Sequence, residues 1–116
     1  MGAIRGATCA KNTTEDISAK SVELVAEIIR RNNLDTADIE AIIFSCTDDL
    51  NACYPATAVR QAFMLSSTAF MCFAEMKVEG SLAHCIRVCV IVNGIAQKEC
   101  KHCYLHEAAA LRSDLK

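Results

Sequence analysis

With 116 residues, 53% of them apolar and 22% charged, the chain has the length of a single domain over 1–116 and the composition of a globule that buries an aliphatic core. A net charge of −2 with no block of Lys or Arg excludes nucleic acid as a partner on electrostatic grounds, and no apolar run is long enough to span a bilayer. The N-terminus lacks the apolar stretch of a secretory leader, so the chain is expected in the cytoplasm, its eight cysteines reduced and mostly acting as small hydrophobes.

The first element is a short strand over 3–8, with Arg5 between Ile4 and Gly6. A helix follows, opened by Asn12-Thr13-Thr14-Glu15-Asp16, with Thr13 as N-cap and two acids where the helix dipole favours them. Ile17, Leu24, Val25 and Ile28 fall on one face at helical spacing. Arg30, Arg31 and the Asn32-Asn33 pair close it. Residues 35–38 form a capped turn, and 40–46 a buried strand. After the polar turn at 47–51, Pro55 opens a second helix running to about Met64. The break at 66–68 leads to a third strand over 69–76, and Glu79-Gly80-Ser81 makes a turn. A fourth strand covers 86–93, apolar except for Arg87. One helical turn at 97–101, a last short strand at 102–105 and a tail over 108–116 complete the chain.

The order β-α-β-α-β-β-β describes an α+β fold, a single sheet with two helices on one face. The strands are too apolar for the other face to stay wet, so a homo-oligomer packed through its sheets is expected.

Two strands carry a charge among apolar neighbours: Glu75 behind Met71-Cys72-Phe73-Ala74, and Arg87 within Cys85-Ile86-Arg87-Val88. A buried charge costs several kcal/mol unless paired, so these residues are either a structural ion pair or the walls of a polar site. Glu75 reads equally as general base, hydrogen-bond acceptor or partner of Arg87. Arg5, Arg60, Arg87 and Arg112 are the oddly placed cations, and a guanidinium grips carboxylates in a fork. Several such forks with a Tyr and a Glu suit a small dicarboxylate bearing a hydroxyl. Cys100-Lys101-His102-Cys103 with His106 has no second ligand pair at ordinary spacing, which argues against zinc.

Taken together, these residues resemble the monofunctional, trimeric chorismate mutases of the AroH class over nearly the whole chain, from Ile4 to Leu115. The matching motifs are Ile4-Arg5-Gly6-Ala7-Thr8, Tyr54-Pro55-Ala56 with Ala58-Val59-Arg60, Met71-Cys72 with Glu75-Met76, Cys85-Ile86-Arg87-Val88, and Tyr104-Leu105 with Leu111-Arg112 and Asp114-Leu115. The resemblance implies an isomerase that rearranges chorismate to prephenate in Phe and Tyr biosynthesis, without cofactor or metal. It implies three copies whose mixed sheets pack into a pseudo-barrel, with active sites between subunits. On that pattern Arg87 would donate to the ether oxygen and a carboxylate, Arg5 and Tyr104 would hold a carboxylate, and Glu75 and Cys72 would meet the ring hydroxyl. Tyr54, Ala56, Thr57, Arg60, Phe70 and Met71 would line the cleft from the adjoining subunit, with Cys72 and Glu75. Leu111 and Arg112 would lie in a tail at its mouth.

The chain departs from the family at Met64-Leu65, where Gly-Trp is common, and at Thr57, where a Lys is frequent. Tyr54 replaces a usual Phe, and Ser113 a usual Pro. The cysteines at 9, 46, 53, 89, 100 and 103 are also unusual. Two other readings share part of this pattern. One is a trimeric imine deaminase of the RidA type, which also holds a carboxylate with an intersubunit Arg. The other is a catalytically silent trimer that binds dianions.

Overall fold

The computed structural model describes residues 1–111, so Arg112 and the tail motif beyond it lie outside the described residues. Alternation along the strands decides the architecture. Strand β1 (Gly2–Cys9) buries Ile4, Gly6 and Thr8 on one side, while β4 (Cys85–Val92) buries Ile86, Val88, Val90 and Val92. Side chains at every second position share a face, so one side of the sheet is hydrocarbon throughout. Strands β2 (Ile39–Cys46), β3 (Ala69–Ala74) and β5 (Cys103–Tyr104) complete five strands in the order β3-β2-β4-β1-β5. The β1–β4 and β2–β4 pairs are antiparallel, and β2–β3 and β1–β5 are parallel.

Helix α1 (Thr14–Arg31) covers that hydrocarbon face with Ile17, Leu24, Val25 and Ile28, all fully buried. Its start is fixed as the sequence indicates: the Thr13 side chain accepts from the Asp16 N–H at 3.1 Å. Helix α2 (Pro55–Ala62) packs beside it, with Pro55 in its first turn and Val59 in the core. Gly6 permits the close packing of the layers. A Cβ there would stand 2.8 Å from the Cys103 carbonyl oxygen and 3.0 Å from Ile28 Cδ1.

Both helices end in the same hydrogen-bond pattern. Leu34 N–H donates to the Ile29 carbonyl and Leu65 N–H to the Arg60 carbonyl, each at 3.0 Å, around a residue of positive φ. After α1 that residue is Asn33 (φ 49°), which tolerates the left-handed region. After α2 it is Met64 (φ 52°). The departure from Gly noted in the sequence therefore falls where a side chain is strained.

Some boundaries differ from the sequence reading. Helix α2 stops at Ala62 rather than Met64, because the capping turn uses the next residues. Strand β3 stops at Ala74, with one further ladder bond from Glu75 N–H to the Cys46 carbonyl at 2.9 Å. Beyond Cys46 the neighbouring strand leaves to bond Cys85 through Thr47, so Glu75 and Met76 have no partner to extend against. Residues His106–Ala110 form a 3₁₀ turn with Ala108 buried, where the sequence suggested only a tail. Among the described residues no helix is long and apolar enough to cross a membrane.

Met64 is 86% exposed, so its side chain contributes little packing to set against the strain. Met64→Gly is expected to raise stability by about 1 kcal/mol, read as a higher urea midpoint at unchanged slope.

Candidate active site

The two helices lie on one face of the sheet, and the other carries the polar residues. Along the strand pairings, Tyr104, Ala7, Arg87, Ser45 and Phe73 form one row across all five strands. The adjacent row is Arg5, Cys89, Ile43 and Met71, and the next is Ala3, Ile91, Ala41 and Ala69. Arg87 thus stands between two small residues, Ala7 and Ser45, which leave room for its guanidinium.

Glu75 follows Phe73 by two positions and turns its carboxylate onto the same face. Its Oε1 accepts a hydrogen bond from Ser45 Oγ and lies 3.1 Å from Arg87 Nε. Arg87 Nε is buried and makes no hydrogen bond, so the Arg87–Glu75 contact is an attraction between close charges rather than a directed bond. The side chain as a whole is 40% exposed, so its terminal nitrogens reach the open side. An ion pair this exposed adds about 1 kcal/mol or less to stability. Its placement matters more: a fixed carboxylate and a guanidinium share one open, mostly apolar face.

Arg5 sits one row away with an exposed side chain. Its backbone N–H donates to His102 Nδ1 at 2.9 Å. That bond caps the β1 edge where the two-residue β5 gives out, and requires Nδ1 to be an unprotonated acceptor. Two residues beyond His102, Tyr104 of β5 lies beside Ala7, with Leu111 packed on the same small cluster.

The remaining candidates are elsewhere. Cys72 pairs with Phe44 and faces the helices. It lines a cleft of about 830 Å³ with Cys46, Cys53, Tyr54, Thr57 and Gln61. Ala56 is buried beside this cleft, Phe70 is half-buried, and Arg60 is exposed on α2. Within one chain, then, Arg5, Glu75, Arg87, Tyr104 and Met71 share the face away from the helices, with Arg87 and Glu75 in contact and Leu111 packed in one cluster with Tyr104. Glu75 and Met71, expected from the adjoining subunit, are thus on the same face as Arg87. Cys72, Tyr54, Ala56 and Thr57 gather on the opposite side of the edge strand β3.

Burial raises the Cys72 thiol, partly offset by the Ala56 backbone N–H. It pushes Cys46 up to about 12 and Cys85 up to about 11. None of these thiols is a ready nucleophile at neutral pH. All eight cysteines are unpaired, and the described residues hold no cluster of His, Cys, Asp or Glu arranged for a metal ion.

Ser45, Phe73 and His102 are the members of this face that sequence reasoning missed. Ser45 left a trace, a lone hydroxyl in the apolar run Ile42-Ile43-Phe44-Ser45-Cys46. Phe73 and His102 left none, because their places follow from register.

The model of the chorismate mutase type I family matches residues 1–115. The chorismate mutase AroH of Bacillus subtilis (strain 168) is 38% identical over 114 residues, 97% of this chain and 90% of that protein. The AroH of Thermus thermophilus is 36% identical over 115 residues, 97% of this chain and 93% of that protein. A solved chorismate mutase from Clostridium thermocellum is 43% identical and superposes with a TM-score of 0.90, covering 95% of this chain and 99% of that one.

The raised thiols set an alkaline limit. Above the ordinary thiol value of 9.0 the unfolded chain loses protons that Cys46 and Cys85 keep when folded. Their contribution is complete below that pH and is lost as pH rises toward the folded values. Each thiol should remove up to about 1.4 kcal/mol per pH unit. Urea midpoints should fall between about pH 8 and pH 10.5, and less steeply in Cys46→Ala.

Proposed function

The chain belongs to the chorismate mutase type I family, and from that premise we propose that it rearranges chorismate to prephenate by restraint and fixed charge, on a site shared between copies of the chain. The reaction is a concerted shift in which an ether C–O bond breaks as a C–C bond forms. It calls for no nucleophile and no proton transfer. The protein has to hold a flexible dianion in its folded, reactive shape and meet the charge that separates as the ether opens.

The observation that carries this reading is the Arg87–Glu75–Ser45 arrangement on the open face. Arg87 donates to the ether oxygen as it becomes anionic, and to a carboxylate. Arg5 and Tyr104 hold a carboxylate from the neighbouring strands. Glu75 accepts from the ring hydroxyl and balances the positive charge left on the ring. Ser45 and Arg87 both hold Oε1, which leaves Oε2 to face the substrate.

The same face supports a homotrimer. Met71 and Phe73 are 55% and 51% exposed on a sheet side that also carries Ile43, Cys89 and Ile91. A monomer would leave that apolar patch in water. The division of the candidate residues points the same way. Edge strand β3 and the start of α2 carry Cys72, Tyr54, Ala56, Thr57, Arg60 and Phe70, which a single chain keeps apart from Arg5, Arg87 and Tyr104. Seated against a second copy's open face, they line the cleft that one chain leaves half-built, with Leu111 at its mouth. The eight unpaired cysteines support a reducing compartment, the cytoplasm.

Loss of chorismate absorbance, followed in EDTA, tests the activity and its independence of metal. Arg87→Ala should lower kcat by at least 10²–10³, about 3–4 kcal/mol. Arg87→Lys should recover only part of it, because an ammonium lacks the planar fork. Arg60→Ala should cost far less, and Ser45→Ala about tenfold, mainly in kcat. Equal, small losses at 87 and 60 would overturn the electrostatic reading. Analytical ultracentrifugation at micromolar concentration should find a three-chain species, and monomer alone would remove the shared site.

A further inference from the structure

We propose that Cys9 and Cys85 form a reversible modification site: a cross-strand dithiol that closes to a disulfide by exchange with an oxidised low-molecular-weight thiol, tying β1 to β4 beside Arg87. The two residues are direct partners in the β1–β4 ladder. One step outward, Ala10 N–H donates to the His84 carbonyl at 3.0 Å. That bond makes the Cys9–Cys85 position a non-hydrogen-bonded pair, in which Cα atoms approach to about 4.5 Å and side chains stand closest. This separation lies within the span a disulfide bridges, about 4.4–6.8 Å. Both side chains belong to one small cluster, with Cys9 packed against the buried Cys85. No other cysteine has a cysteine as strand partner: Cys46 faces Ile86, Cys72 faces Phe44, Cys89 faces Arg5 and Ile43, and Cys103 faces Gly6.

Access differs between the two thiols. Cys85 is 1% exposed, whereas Cys9 is half-buried at the rim of the small cluster formed with Ala7, Tyr104, Ala108 and Leu111. Cys9 therefore meets the oxidant. Its thiolate attacks one sulfur of the small disulfide RS–SR, whose S–S bond breaks and releases RS⁻. Cys85, once deprotonated, attacks the Cys9 sulfur of the mixed disulfide and expels the second RS⁻. Two protein thiols are oxidised, one small disulfide is reduced to two thiols, and the two protons pass through water to the departing thiolates. Burial raises both thiols, and the Glu107 carboxylate raises Cys9 further. The pair is therefore protonated at neutral pH and reacts faster in alkali. Closure links positions 9 and 85, a long loop, so it restricts the unfolded chain strongly. It also fixes the strand bearing Arg5 against the strand bearing Arg87.

The test uses the full chain, reduced and then incubated with oxidised glutathione at about pH 8 and pH 9. Free thiols are alkylated, and the digest is read by mass spectrometry. The expected result is a peptide pair joined through Cys9 and Cys85 and lighter by two hydrogens, with the remaining cysteines alkylated. It should form faster at the higher pH. The thermal midpoint should rise by several degrees and return with dithiothreitol, and Cys9→Ser should abolish both effects. Cys85→Ala should do the same; if it fails to fold, the Cys9→Ser comparison decides alone. Glutathione retained on Cys9 with Cys85 alkylated, a cross-link at other positions, or a chain that stays reduced would each overturn the proposal.

Discussion

A carboxylate held from two sides organises the open face of this molecule. Glu75 Oε1 receives the Ser45 hydroxyl and the charge of Arg87, while the strands beneath present small or apolar side chains. Neither contact is strong alone, since both lie at a partly open surface. Their combined effect is orientation. A single acceptor oxygen is committed to the protein, and the guanidinium is drawn to one side of its own strand. The proposed mechanism asks for a fixed field of this kind beside restraint of the bound dianion.

That arrangement depends on the sheet having two unlike faces. The helix-side residues of β1, β2 and β4 are almost entirely buried, and they do the work of folding. The opposite residues are free to carry Arg5, Ser45, Arg87 and Tyr104 because the core does not need them. Leaving that side open exposes Met71 and Phe73, and covering it with a second copy would place a neighbour against the charged pair. Fold stability thus draws on one side of the strands, and the proposed assembly and chemistry on the other.

Much of this was legible in the chain. The spacing of Ile17, Leu24, Val25 and Ile28 marked α1, and the lone charges at 75 and 87 marked a pair that the fold brings into contact. The sequence left open whether those two were partners, and the structure puts them 3.1 Å apart. What stayed hidden depends on strand order. Tyr104 comes to lie beside Ala7 through a parallel pairing that joins the two ends of the chain, and nothing local announces it. Ser45 looked like part of a buried strand, because alternation is hard to see when both faces are largely apolar. The end of β3 was misjudged for a related reason: Glu75 and Met76 keep strand character, and only the departure of β2 at Thr47 stops the ladder.

The alternation of β1 and β4 has one more effect. Sliding one of these strands past the other by a single residue would turn its whole set of side chains over. Isoleucines and valines would swing outward, and a guanidinium would be pressed into hydrocarbon at a cost of several kcal/mol. Misalignment is thus penalised twice, and the cations act as proofreaders of the pairing that displays them. A chain that has folded at all has, by the same act, aligned Arg5 and Arg87 on one face.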